Sequence, residues 1–101
     1  MGQRSDLHEI LREIMGNGNV YFQPPSNIQM KYPAIVYERD YSDTQFAGNS
    51  PYSHTWRYQL TLIDANPDSG FLAKIARLSK CVFTRHFASA NLNHDVFSIY
   101  F

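Results

Sequence analysis

Tyr52-Ser53-His54-Thr55-Trp56-Arg57-Tyr58-Gln59-Leu60-Thr61-Leu62 is the stretch whose reading settles the fold class. Tyr52, His54, Trp56, Tyr58, Leu60 and Leu62 take every second position, and Ser, Thr, Arg and Gln fill the places between. Strand side chains alternate between two faces, so this pattern predicts one long strand with a single buried face. Upstream, Tyr32 to Arg39 is β-branched and aromatic enough to be a second strand, with Pro33 near its start, where a missing N–H is tolerated. Between the two lies Asp40 to Ser50, polar, glycine-containing and without either periodicity. It reads as a loop, and loops of this length tend to carry function.

Further toward the N-terminus, Val20-Tyr21-Phe22 is a short β-prone run stopped by Pro24-Pro25, which suits an edge. Leu7, Ile10, Leu11 and Ile14 recur at i, i+3, i+4 and i+7 and predict an amphipathic helix, with Asp6 and Glu9 as a capping pair and Gly16 as its left-handed stop. Downstream, the turn formers Asp64 to Gly70 precede Phe71, Leu72, Ile75, Ala76 and Leu78 at helical spacing. Cys81 to Phe87 and Asp95 to Phe101 are β-prone, joined through Ala88 to His94 as a closing hairpin. The expected fold is therefore α+β: two amphipathic helices packed on a mostly antiparallel sheet.

The length of 101 residues suits one domain, spanning 1–101. Nine Lys and Arg balance nine Asp and Glu, which argues against strong general affinity for nucleic acid or anionic membrane. Hydrophobic residues at 44% are enough for a core. No apolar run is long enough for a membrane span, and the charged residues among Leu7 to Ile14 do not suit an export signal. Cys81 is the single cysteine, so no internal disulfide forms, as suits an intracellular protein.

The chemistry-bearing residues form no recognised catalytic frame. His86, His94 and Asp95, with Cys81 near in sequence, are metal-capable types, but their spacing matches no zinc pattern. Cys81 reads as an inert buried residue. Asp64 and Asp68 are accounted for by the turn they flank. No catalytic, cofactor-binding or metal residue is therefore assigned, and no cofactor is expected. Aromatic residues, at 15%, are the anomaly, because a core of this size cannot easily enclose seven Phe, seven Tyr and one Trp. Some must reach the surface, either at a protein interface or as stacking platforms for bases.

Four stretches carry a resemblance: Val20-Tyr21-Phe22-Gln23-Pro24-Pro25, Met30-Lys31-Tyr32-Pro33-Ala34-Ile35-Val36-Tyr37, Asp64-Ala65-Asn66-Pro67-Asp68-Ser69 and Asn91-Leu92-Asn93-His94-Asp95-Val96-Phe97. In these the chain resembles short phage and prophage head–tail joining proteins, and looks like the tail terminators of long-tailed phages. The resemblance implies a non-enzymatic virion protein of the tail or neck, present in the host cytoplasm during assembly. It also implies a homo-oligomeric ring, commonly a hexamer, seated on the tail-tube protein and docked by the head connector protein. DNA would pass through the lumen without specific binding, and no membrane is involved. Within this setting, the long segment from Tyr41 to Tyr52 offers Tyr41, Phe46, Pro51 and Tyr52 as the candidate interface, and the local clustering of Glu38, Asp40 and Asp43 makes them, with no residue carried over from the family, the candidate lumen lining. Two readings from other classes stay open: a small metal-dependent hydrolase or nuclease using His86, His94, Asp95 or the acidic residues, and a nucleic-acid-binding module using surface aromatics.

Overall fold

A computed structural model describes residues 3–16, 19–47 and 50–101, with backbone alone over 43–47 and 50–54. The order is α1 (Arg4–Met15), β1 (Val20–Phe22), β2 (Ala34–Ala47), β3 (Ser50–Asp64), α2 (Phe71–Ala76), β4 (Cys81–Ser89) and β5 (Leu92–Tyr100). The strands form one sheet in the order β1-β2-β3-β5-β4. β1 runs parallel to β2, and every other pairing is antiparallel. The α+β class with two helices on a mostly antiparallel sheet is thus the observed one.

One face of the sheet meets the helices. Strand alternation places Val20, Ile35, Tyr37, Tyr58, Leu60, Leu62, Phe97 and Ile99 on it, and all are buried. α1 contributes Leu7, Leu11 and Met15, four residues apart and so on one stripe, and α2 contributes Ile75. Tyr58, Leu60 and Leu62 belong to the alternating stretch, so its buried face is the core face. Trp56, two residues earlier, packs against the margin of this cluster and is half-buried.

Local signals act close to where they were expected. The α1 cap sits one turn earlier than the Asp6–Glu9 pair: Gln3 is the cap residue and donates its backbone N–H to the Asp6 carboxylate at 3.2 Å. Gly16 ends the helix at φ 71°, with its N–H on the Arg12 carbonyl. Before α2, Asp64 and Asn66 each accept the backbone N–H two residues on, at 3.0 Å. Ser69 Oγ accepts the Phe71 N–H.

The main correction concerns Asp40 to Ser50. β2 continues to Ala47 and β3 starts at Ser50, so nearly all of the expected loop is paired strand. The closing hairpin is tighter than expected as well. β4 and β5 meet across Ala90 and Asn91, both left-handed at φ 52° and 63°, the geometry of a two-residue turn.

Candidate assembly surfaces

β1 accompanies β2 only over Ile35 to Tyr37, and β5 accompanies β3 only from Arg57 onward. Among the described residues, β2 from Tyr41 to Ala47 has its strand partner in the β3 segment from Ser50 to Arg57. This two-stranded ribbon projects past the sheet by about 20 Å, at ~3.3 Å per residue. It gives the molecule a long dimension of 50 Å against 27 and 24 Å. Register shifts at Asp40 and between Gln45 and Phe46 put bulges at its base and along its length, and bulges bend and twist a strand pair.

The base is fixed on both faces by arginine. On the helix side, Arg39 lies 4.3 Å above the Trp56 ring and donates to Tyr58 Oη at 3.3 Å. On the helix-free side, Arg57 packs 4.7 Å over the Tyr41 ring and donates to Asp40 at 3.0 Å. That pairing with Asp40 raises the Arg57 guanidinium above its ordinary value. Tyr41 is 51% exposed. Four of the six arginines stack on rings, because Arg4 lies over Phe22 and Arg85 over Phe87. Much of the aromatic excess is in this way neither core nor bare surface.

Tyr41, Phe46, Pro51 and Tyr52 all fall on the ribbon, Tyr41 at its base and the others further out. The side chains of Phe46, Pro51 and Tyr52, and of Asp43 among the acidic candidates, lie outside the described residues. Glu38 and Asp40 are paired, with Gln59 at 3.4 Å and with Arg57.

β4 forms the other border of the sheet. It is nine residues long, its side chains from Val82 to Ser89 are exposed, and among the described residues no strand pairs with its outer side. Val82 is 62% and Phe83 52% exposed. Beside it, Leu72, Ala73, Ala76, Phe83 and Phe97 line an apolar groove of about 390 Å³. A second groove, about 380 Å³, opens between α1 and the end of β5, bordered by Leu7, Ile10, Thr55, Leu78 and Phe101.

The chemistry-bearing residues are only partly gathered. His86 Nδ1 stands 2.7 Å from the buried Asp95 carboxylate across β4 and β5. His94 precedes Asp95 on the strand and so projects to the opposite face, where it stacks on Phe87 at 4.6 Å and 9°. Among the described residues, no three of His, Cys, Asp or Glu come together to hold a metal ion. Burial pushes the Cys81 thiol up to about 11, in keeping with an inert residue. Sequence reasoning missed the cluster at Tyr37. His8 Nδ1 lies 2.7 Å from Tyr37 Oη, and Arg4 donates to the same oxygen at 3.3 Å. Burial, then Arg4 and Arg12, lowers the His8 pKa, which favours the neutral imidazole beside the Tyr37 hydroxyl.

No helix among the described residues is long and apolar enough to cross a membrane. Comparison with models of known protein families finds no match to this chain, and comparison with curated proteins finds none.

Proposed function

We propose that this chain is a phage or prophage virion protein, a tail terminator or related head–tail joining protein, that acts by assembling as a ring on the end of the tail tube and not by catalysis. The observation that carries this reading is the ribbon from Tyr41 to Arg57. A two-stranded hairpin is marginal alone in water, so such an arm gains its stability from a second surface. The ribbon and the β4 border are two different patches of one chain, and an interface between unlike patches closes into a ring when its rotation permits. The resemblance in the four stretches quoted above adds the virion setting, with the tail-tube protein and the head connector as partners in the neck.

In that ring the helix-free face, with Glu38, Asp40 and the strand position of Asp43, turns to the lumen. Pairing of Asp40 with Arg57 keeps this face near neutral, which lets duplex DNA slide without being held. Electron microscopy of the purified protein tests the reading: rings of uniform diameter that cap tail tubes support it, and uncapped tubes with only single chains in solution oppose it. A second reading, a surface for single-stranded nucleic acid, is favoured by Tyr41 with Arg57 and Phe87 with Arg85 on the same helix-free face. Binding to oligonucleotides that weakens steeply with salt would support it.

A further inference from the structure

β4 is a long border strand whose backbone is only half used. Among the described residues no strand pairs with its outer side, so alternate N–H and C=O groups from Cys81 to Ser89 have no ladder partner there. The opposite border is blunted against strand pairing by the three-residue length of β1 and by Pro24-Pro25. β4 carries a bulge at Thr84, whose hydroxyl donates to the Val96 carbonyl at 2.8 Å, and beyond it Arg85 to Ser89 is an uninterrupted run.

The two faces of this edge differ. Phe83 is the register partner of Phe97 and so lies on the helix side, where the two rings line the groove of about 390 Å³ with Leu72, Ala73 and Ala76 of α2. Asp95 also borders that groove, but its carboxylate is already held by His86 at 2.7 Å. Arg85 is the register partner of Val96 and so lies on the helix-free side, 5.1 Å over the Phe87 ring. From Ser69 to His94 the chain carries Lys74, Arg77, Lys80 and Arg85 and neither Asp nor Glu. All four are exposed, and among the described residues none of them is in an ion pair.

We infer that the β4 edge takes an extended acidic segment of a partner protein as a sixth strand of the sheet, with alternate apolar side chains in the groove beside α2 and alternate carboxylates toward Arg85. A strand added to an open edge is held by main-chain hydrogen bonds and selected by what receives its alternate side chains. Charge decides the occupant. A second copy of β4 would set Lys80 and Arg85 near the same two residues, and like charges on facing strands are destabilising, whereas carboxylates answer four cations that lack an acidic partner. The inference does not rest on the ring reading. Both use this border, so an added strand and a neighbouring subunit compete for it.

The probe is a capped, fluorescent peptide of alternating Glu and Val, set against the same peptide with Lys in place of Glu, and read on the full chain by anisotropy, amide hydrogen exchange and light scattering. The Glu peptide is expected to bind, to slow exchange between Val82 and Ser89 but not in β1, and to weaken as salt is raised. Lys80→Glu with Arg85→Glu is expected to reverse the preference, so that the Lys peptide binds in its place, which also shows that the altered chain folds. Phe83→Ala is expected to weaken the Glu peptide by about tenfold. Equal affinity for the two peptides, no binding of either, or slowed exchange away from β4 overturns the inference. So does a thymidine oligonucleotide that binds more tightly and slows the same amides, which makes the edge a nucleic-acid surface, or slow exchange along β4 with a doubled mass in the peptide-free protein, which makes it an interface between copies. Binding of the Glu peptide at β4 by a protein that stays a single chain at every concentration supports the inference and counts against the ring.

Discussion

At the scale of single residues, the cluster of Tyr37, His8 and Arg4 couples the helix to the sheet through one phenolic oxygen. Tyr37 is fully buried, and its own pKa is raised, first by that burial. The sign of the pH effect follows from His8, whose folded-state pKa lies below its ordinary 6.5. As pH falls through 6.5, the unfolded chain takes up a proton that the folded chain still refuses, so stability is lost with acidification. The melting temperature is expected to drop from about pH 7.5 to about pH 5.5, and to drop less in His8→Gln. Parallel curves for the two proteins would contradict this. Cys81 gives a second expectation. With its thiol pushed up to about 11, the folded protein should react with a thiol reagent at pH 8 far more slowly than the same chain in denaturant. Equal rates would show that the thiol is not held in the margin of the core. The His8–Tyr37 contact was not legible beforehand, because the two residues are 29 positions apart and no sequence pattern joins them, whereas Cys81 already read as an inert buried residue.

At the scale of elements, legibility followed the core. Tyr58, Leu60 and Leu62 alternate because one face of β3 is covered, and Leu7 and Leu11 keep helical spacing because one stripe of α1 is. Beyond Arg39 the β2 stretch is polar, so Ser42, Asp43, Thr44 and Gln45 show no apolar period and read as loop while the backbone is paired strand. A usable signal was the dipeptide Gly48-Asn49, outside the described residues, a composition that commonly joins two strands of a hairpin. In the β4–β5 hairpin, Asn91 tolerates its left-handed φ of 63°, but Ala90 at 52° carries a Cβ into a region costing L-residues about 1–2 kcal/mol. Ala90→Gly is therefore expected to stabilise the protein by about 1 kcal/mol, read as a higher denaturant midpoint at unchanged slope. A lower midpoint would mean that the turn is not of this type.

At the scale of the whole molecule, the neutral net charge concealed the separation of charge between Glu38–Asp43 and Lys74–Arg85. Net charge is a sum, and only the sheet order shows that these segments lie toward opposite borders. The metal-capable residues show the same limit in reverse. His86, His94 and Asp95 are close in sequence, but strand alternation sends His94 to one face and joins the other two on the opposite one. The central claim is that the projecting ribbon is an assembly arm. Replacing residues 43–55 with a two-residue Asn-Gly turn joins the partners Ser42 and Trp56, removes the arm and leaves the core strands of β2 and β3 in register. Light scattering on this shortened chain and on the intact one, over the same concentration series, is the most direct test. The account predicts a discrete multimer for the intact protein and a folded single chain for the shortened one; a shortened protein that still forms the multimer, or an intact protein that never does, would contradict it.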